Sequence, residues 1–375
     1  MATSAPPPPP RHAHDPAQKH FIIAALEASF VPVPSPLFPP DCGFTYELRS
    51  YPLTTPEQVP ERIADADIAI LSVLALPRHL LAPDVCPRLK HIAVVASGTD
   101  QVDKQACRER GIVVSNTPHC NTTSVAEHVI ASYFATRRSL LLAHDFTQDG
   151  QWGKGGNAKS SFVLDGRGDG KPPRTCGSEV LGIVGYGGVG KKVEALARAL
   201  GMTVLISGRK GDDPVATVEA GAAEDAGGGG GKGDGRTPFD TLLRTASVVV
   251  LCCPRTPETL DLISTRELSL MPPHALLINV ARGGVVDEPA LLAALRARQI
   301  AGYATDVFLT EPAHADNSAL VLGKGNAEGL NILTTPHIAW CAEETNDAYN
   351  RALLDNLRGW LLDSGKPRYP VLSYD

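Results

Sequence analysis

Short apolar runs alternate with amphipathic stretches along most of the chain. The first four runs have strand length and are rich in Ile and Val: HFIIAAL (20–26), ADIAILSVL (66–74), LKHIAVVAS (89–97) and GIVVSN (111–116). Between them lie the helix-like segments TPEQVPERIAD and VDKQACRERG, and the second ends in a glycine, as many helices do. Strands that alternate with helices predict a parallel, doubly wound sheet.

A second series of the same kind follows. It begins at SEVLGIVGYGGVGKKVEALARALGMTVLISGRKG and continues through ASVVVLCCP, HALLINVARGG, AGYATDV and LNILTTPHIAW. Before it, the pattern predicts one long helix from about Thr122 to Leu142. The apolar residues that share one side of this helix are Val125, Val129, Tyr133 and Leu140.

The two series predict an α/β protein with two doubly wound, Rossmann-like domains around a central cleft. The predicted parts are a disordered Pro-rich tail (1–18), a substrate-binding domain (19–116, completed by 338–375) and a dinucleotide-binding domain (117–337). Loop insertions are expected near 150–177, which is rich in glycine and lysine, and near 211–236, where the tract 221–236 is too low in complexity to pack.

Composition narrows the class of protein. With 375 residues, 43% hydrophobic and 20% charged, the chain has the balance of an ordinary globular protein. A net charge of -6 gives no reason to expect nucleic acid or an anionic membrane as a partner. No secretory signal or spanning segment is recognisable, and the eight cysteines form no Cys-x-x-Cys pair. We therefore expect a cytoplasmic protein with reduced thiols and no metal site.

The segment VLGIVGYGGVGKKVEALARAL predicts a cofactor site. An apolar strand runs into Gly185-x-Gly187-x-x-Gly190, and an amphipathic helix runs out of it. The first glycine permits a tight turn, the second lets the backbone approach a pyrophosphate, and the third lets helix and strand pack closely. The helix N-terminus, with Gly188 and Val189, would face the phosphates.

The stretch ISGRKG decides which dinucleotide we expect. An acidic residue that pairs with the adenosine ribose usually ends the next strand, but Gly208 stands there, followed by Arg209 and Lys210. Without the carboxylate, a 2′-phosphate meets no repulsion and a guanidinium can grip it. The sequence favours NADP over NAD, and the alternative is that both cations are solvated loop residues.

Three further segments lie at the carboxyl ends of predicted strands: INVARGGVVDEPAL (278–291), ATDVFLTEP (304–312) and TPHIAW (335–340). With the glycine motif and NTTSVAEHVI (121–130), they resemble the D-isomer-specific 2-hydroxyacid dehydrogenases over about residues 20 to 365. VVASGTDQVD (94–103) and TPHIAW are most similar to glycerate dehydrogenases and to hydroxypyruvate or glyoxylate reductases.

The residue types suit reduction of a 2-keto acid. Arg282 can clamp the carboxylate and carbonyl oxygens, and His337 can donate a proton, because an imidazole titrates near neutral pH. Glu311 would hold the imidazole and favour its charged form. The resemblance implies the same three roles, and it implies that Asp306 orients the nicotinamide carboxamide. The remaining predicted cofactor contacts follow two strands: Cys253, Pro254, Val280 and Ala281.

The predicted substrate contacts are more scattered. Backbone N–H groups of Ser97, Gly98 and Thr99 would meet the carboxylate, and Trp340 would close one wall. Where many relatives have Asn-Lys, this chain has an apolar pair that ends at Leu74, which favours a bulkier keto acid.

Three readings of function stay open. The first is an NADP-preferring reductase of glyoxylate or hydroxypyruvate that yields D-2-hydroxy acids. The second keeps the chemistry with a larger keto acid or with NADH. The third is a dinucleotide-sensing, corepressor-like interaction protein. A homodimer is expected, because the helix from Thr122 carries apolar residues on more than one face and because the resemblance implies it.

Overall fold

The computed structural model describes residues 19–154, 172–211, 235–323, 329–362 and 365–373. The predicted Pro-rich tail lies outside the described residues, as do positions 155–171 and 212–234 of the two predicted insertions. The chain divides into two compact units. The first unit comprises Met1–Asn121 and Ala342–Asp375, and the second comprises Thr122–Cys341.

The sheet of the first unit has six strands. They are β1 (His20–Ala25), β2 (Thr45–Ser50), β3 (Ile68–Leu71), β4 (His91–Val94), β5 (Val113–Ser115) and β12 (Pro370–Leu372). Their order is β12-β5-β4-β3-β1-β2, and every neighbouring pair is parallel except β12 with β5. The four strands predicted in this part of the chain are confirmed. The sequence pattern missed β2 because this edge strand, TYELRS, buries none of its residues.

Three α-helices complete the described part of the first unit: α1 (Val59–Ile63), α2 (Lys104–Arg110) and α9 (Glu343–Leu362). The Asp103 carboxylate caps α2 by accepting the amide N–H of Ala106, and Gly111 ends the helix with a φ of 64°. Helix α9 packs on β4, where the Trp360 ring lies 5.2 Å from the His91 ring.

The sheet of the second unit consists of β6 (Val180–Val184), β7 (Thr203–Ile206), β8 (Val248–Leu251), β9 (Leu276–Asn279), β10 (Gly302–Thr305) and β11 (Ile332–Thr334). All neighbouring strands are parallel in the order β7-β6-β8-β9-β10-β11. The strand order reverses between β6 and β8, so a crevice opens at their carboxyl ends, where ligands bind in such sheets. The predicted α/β class with two doubly wound sheets is confirmed.

The helices of the second unit are α3 (Thr122–Arg137), α4 (Leu140–Gln148), α5 (Gly188–Ala199), α6 (Phe239–Thr245), α7 (Thr265–Leu270) and α8 (Glu288–Arg296). The prediction of one helix from Thr122 to Leu142 is wrong. Ser139 adopts a left-handed backbone with a φ of 44°, which interrupts the helix after Arg137. Because the apolar periodicity does not continue across this break, Leu140 is 52% exposed while Tyr133 is buried.

The core of the second unit covers both faces of its sheet. Along β8, Val248 and Val250 face the cluster beneath α3 and α5, while Val249 and Leu251 face the cluster beneath α6, α7 and α8. A strand buried on both faces is apolar at every position, which is why these runs are continuous. Among the described helices, none is both long and apolar enough to span a bilayer.

A buried ion pair joins α3 to the amino edge of this sheet. Arg137 is 6% exposed and Glu179 is 1% exposed. Arg137 Nη2 donates to Glu179 Oε2 at 3.2 Å and to the carbonyl of Ser247 at 2.9 Å. Tyr133 Oη also donates to Glu179 at 3.3 Å. These contacts satisfy a carboxylate that has no access to water.

Candidate active site

The glycine turn between β6 and α5 forms a close-packed cradle. Gly185 has a φ of 95°, and a Cβ on it would lie 2.5 Å from the backbone N of Cys253. A Cβ on Gly190 would lie 2.4 Å from the carbonyl oxygen of Gly185. Around Gly187, the N-cap of α5, a Cβ would meet no atom within 4 Å. The turn therefore leaves open space at a helix N-terminus, which fits the pyrophosphate of a dinucleotide.

The other predicted cofactor residues lie along the same carboxyl edge. Gly188 and Val189 begin α5, Cys253 and Pro254 follow β8, and Val280 and Ala281 follow β9. Pro254 is exposed, whereas Cys253 and Ala281 are 9% and 6% exposed. The structure thus gathers these residues beside the glycine turn, and their contact with a cofactor stays a prediction.

The two predicted cations at the end of β7, Arg209 and Lys210, have different surroundings. Arg209 is exposed. Lys210 instead turns its ammonium toward α7, where Nζ lies 3.0 Å from Glu267 Oε1 and 3.1 Å from the carbonyl of Leu262. Burial alone would raise the pKa of Glu267, but hydrogen bonds from Lys210 and Arg266 outweigh it and lower the pKa. Lys210 therefore neutralises a buried carboxylate, and the geometry does not favour its predicted role toward a phosphate.

His337 and Glu311 form a hydrogen-bonded pair. His337 Nδ1 lies 2.7 Å from Glu311 Oε2, and the two side chains are 39% and 35% exposed. The other oxygen of Glu311 accepts the amide N–H of Phe308 at 2.9 Å. Burial raises the pKa of Glu311, but the hydrogen bond and charge of His337, the Phe308 amide and the charge of Arg282 together hold it below its usual value. A charged carboxylate therefore stands behind the imidazole.

Asp306 holds the turn that carries His337. Its Oδ1 accepts the Thr335 hydroxyl at 2.7 Å and the Ile338 amide at 2.9 Å, and its Oδ2 accepts the Ala339 amide at 2.8 Å. His337 itself has a φ of 53°, an uncommon conformation for a residue with a side chain. Such strain persists only where surrounding contacts determine it.

Trp340 and His128 complete the support of this turn. The indole Nε1 of Trp340 donates to the carbonyl of His337 at 2.9 Å, and Ser124 donates to the carbonyl of Trp340 at 3.2 Å. His128 Nε2 lies 3.1 Å from Thr335 Oγ1. The sequence reading missed His128, Thr335 and this use of Asp306, because these contacts join α3, β10 and β11. The predicted roles of Asp306 at the nicotinamide and of Trp340 at the substrate stay predictions.

Arg282 lies in a turn whose backbone is fixed on two sides. Asn279, which is 1% exposed, accepts the Ala281 amide at 3.0 Å and donates to the carbonyl of Arg282 at 3.1 Å. A Cβ on Gly283 would lie 1.7 Å from the carbonyl oxygen of Phe308. The absent side chain of Gly283 therefore lets the Arg282 turn lie directly on the loop that leads to Glu311.

The predicted residues of the first unit lie in loops at the carboxyl ends of its strands. Asn116 Nδ2 donates to the carbonyl of Ser97 at 2.8 Å, and Lys104 Nζ donates to the carbonyl of Thr99 at 3.0 Å. Ser97, Gly98 and Thr99 are all half-buried. Lys104, which was not among the predicted site residues, places a cation beside this turn.

The loop after β3 is fixed by a carboxylate that the sequence reading also missed. One oxygen of Glu27 accepts the amide N–H groups of Ser72, Val73 and Leu74 at 2.7, 2.9 and 3.0 Å. Leu74, a predicted substrate contact, is 9% exposed and belongs to the core of the first unit, whereas Val73 is 54% exposed. Leu74 therefore does not form an exposed apolar lip, and Val73 alone of the pair is accessible.

Comparison with known proteins agrees with this arrangement. The profile of the family described as "D-isomer specific 2-hydroxyacid dehydrogenase, NAD binding domain" matches residues 130–339. The chain is 34% identical to a glycerate dehydrogenase of Methylorubrum extorquens over 330 residues, 88% of this chain and 93% of that protein. It is 34% identical to a glyoxylate reductase of Thermococcus gammatolerans over 278 residues, 74% of this chain and 75% of that protein.

A solved structure shows the same likeness. It is the NADPH-dependent glyoxylate/hydroxypyruvate reductase of Sinorhizobium meliloti in complex with NADP and malonate. The TM-score is 0.65 at 25% identity, and the similarity covers 93% of this chain and 96% of that one.

Proposed function

The chain belongs to the D-isomer-specific 2-hydroxyacid dehydrogenase family, and on that premise we propose that it reduces small 2-keto acids to D-2-hydroxy acids with NADPH. It is an oxidoreductase of 2-hydroxy acids, with relatives named for glyoxylate reduction and glycerate oxidation. Glyoxylate and hydroxypyruvate are the substrates that we propose first. The observation that carries the proposal is the 2.7 Å hydrogen bond between His337 and Glu311.

His337 donates the proton to the carbonyl oxygen in this proposal. Glu311 accepts from Nδ1, so the tautomer and the ring orientation are set and Nε2 carries the proton that is transferred. The charged carboxylate also stabilises the imidazolium that exists before reduction and forms again in oxidation. The turn held by Asp306 keeps the imidazole in place, which limits the reorganisation that proton transfer requires.

Arg282 binds the carboxylate and polarises the carbonyl group. Its planar guanidinium offers several N–H donors in fixed directions, and one of them, Nη1, is anchored on the carbonyl of Ala281 at 2.8 Å. The charge of Arg282 also acts on Glu311, which means that both groups belong to the same electrostatic site.

The open glycine turn supports binding of a nicotinamide dinucleotide, which supplies the hydride when bound. We propose a preference for NADPH because Gly208 leaves the end of β7 without a carboxylate and Arg209 is exposed beside it. Lys210 is left out of this proposed preference, since its ammonium pairs with Glu267.

A turnover assay tests the function directly. The absorbance of NADPH and of NADH is followed with glyoxylate, hydroxypyruvate and phenylpyruvate. The proposal expects the highest kcat/KM with NADPH and one of the two smaller acids. Faster turnover of phenylpyruvate would move the substrate to the bulkier class, and faster turnover with NADH would end the proposed preference. No turnover with any pair would favour the dinucleotide-sensing reading.

Two variants test the proposed roles. His337→Ala should lower kcat by about 10²–10⁴-fold and leave the Kd of NADPH unchanged, because general acid catalysis contributes a factor of that size. Arg282→Ala should raise KM and lower kcat together. His314→Ala and Arg244→Ala, at exposed positions of the same unit, are the matched controls. A wild-type kcat/KM in either active-site variant would contradict the role assigned to that residue.

We also propose a homodimer. Helix α4 buries none of its residues, Leu140 and Leu141 are 52% and 50% exposed, and Phe134 of α3 is 39% exposed. Large apolar side chains that are exposed in this way are typical of an interaction face. Light scattering after size-exclusion chromatography measures the mass, and Leu141→Glu should shift a dimer toward the monomer.

A further inference from the structure

A second arginine reaches the end of β7 from a distant part of the chain. Ser207 and Thr237 pair in a parallel bridge beyond the strand. The Gly208 amide donates to the carbonyl of Thr237 at 2.7 Å, and the Thr237 amide donates to the carbonyl of Ile206 at 2.7 Å. The backbone before α6 is therefore joined to the strand end, and its neighbour Arg236 must lie beside Gly208.

The guanidinium of Arg236 lies at this strand end. Its Nη1 donates to the carbonyl of Ser207 at 3.2 Å. Its charge also acts on the hydroxyl of Tyr186, the second residue of the glycine turn. The pKa of that hydroxyl is raised chiefly by its hydrogen bond to Glu194, and the positive charges of Arg198 and Arg236 oppose the shift. In such folds the adenosine ribose binds between the end of this strand and the glycine turn. Arg236 thus contacts the strand end directly, and its charge acts on the glycine turn.

We infer that Arg209 and Arg236, rather than Arg209 and Lys210, form the clamp for the 2′-phosphate of NADP. The inference rests on the proposed function and adds a specificity-determining residue to it. Lys210 Nζ pairs with Glu267, which is only 3% exposed and which Arg266 also contacts, so the Lys210 ammonium is directed toward α7. Arg236 is anchored through a carbonyl at the site itself, and a guanidinium has five N–H donors in fixed directions. Two guanidinium groups match the several oxygens of a phosphate better than a single one.

Binding experiments on the full chain test this assignment without turnover. The Kd values of NADPH and NADH are measured by nicotinamide fluorescence, and those of adenosine 2′,5′-bisphosphate and 5′-AMP by calorimetry. Arg236→Gln should weaken NADPH and the bisphosphate about tenfold, because charge-assisted hydrogen bonds are lost, and should change NADH and 5′-AMP less than about twofold. Arg236→Lys should fall between Arg236→Gln and the wild type, since it keeps the charge and loses the fork.

Matched variants separate the possible causes. Lys210→Gln should leave the NADPH/NADH ratio unchanged and lower Tm, whereas Arg244→Gln, at an exposed position of α6, should change neither. A wild type that binds NADH as tightly as NADPH would overturn the inference together with the proposed preference. A wild type that prefers NADPH, with an unchanged ratio in Arg236→Gln, would overturn the inference alone. An equal loss of both cofactors in Arg236→Gln would also overturn it, because the side chain would then support the fold rather than read the phosphate.

Discussion

Replacing Gly283 by alanine should disable the site through backbone displacement. The new Cβ would lie 1.7 Å from the carbonyl oxygen and 1.9 Å from the carbonyl carbon of Phe308, while ordinary contacts begin at 3.4 Å. Backbone atoms cannot rotate away as a side chain can, so the two loops must separate by about 1.7 Å (3.4 − 1.7). One loop carries Arg282, and the other leads to Glu311 and thereby to His337.

The expected magnitude follows from this displacement. A misplacement of about 1 Å can cost roughly 10²-fold in rate, so kcat/KM should fall by about 10²-fold or more. Overpacking typically costs about 1–3 kcal/mol, which corresponds to a fall in Tm of about 2–12 °C for a unit of this size. The glycine turn lies at another strand end and keeps its contacts with the pyrophosphate, so the Kd of NADPH should change much less than kcat/KM, although the predicted contacts of Val280 and Ala281 lie on the displaced turn.

The assay measures kcat and KM with glyoxylate and NADPH, the Kd of NADPH by fluorescence, and Tm by calorimetry. Gly177→Ala is the matched control, because a Cβ at that position would meet no atom within 4 Å. A Gly283→Ala enzyme with wild-type kcat/KM and Tm would refute the reasoning, since the close approach of the two loops would then be unnecessary.

Three further variants test the charged contacts. Glu311→Gln should lower Tm at pH 7, and the difference from the wild type should shrink as the pH falls below 4.5, the ordinary pKa of a Glu side chain. The folded state lowers the pKa of Glu311, so its carboxylate stabilises the fold only where it is ionised. A difference in Tm that does not depend on pH would contradict this. Arg137→Met should cost about 3–5 kcal/mol in denaturant unfolding, because it leaves Glu179 charged and buried; a loss below about 1 kcal/mol would argue against the pairing. Glu27→Ala should accelerate amide hydrogen exchange in the turn after β3, and unchanged exchange there would show that the carboxylate does not fix it.

The sequence by itself determined the fold class, the family and the kind of chemistry. Strands such as β8 are buried on both faces, so they must be apolar throughout and are recognisable from composition alone. The glycine turn is recognisable for a related reason. A Cβ on Gly185 would lie 2.5 Å from the backbone N of Cys253, so only glycine fits at that position. The predicted resemblance to the dehydrogenase family is confirmed, while the roles of Arg282, Glu311 and His337 stay predictions.

The tertiary structure decided which charged and polar side chains are accessible and which serve the fold. Nothing in ISGRKG distinguishes Arg209 from Lys210, because the partner of Lys210, Glu267, lies far along the chain. The same holds for Arg236, which reaches β7 only through a bridge between distant backbone segments. The local sequence pattern shows which positions are apolar enough to be buried. A charge or a hydrogen bond is satisfied by whichever group the folded chain brings near, and that choice exists only in three dimensions.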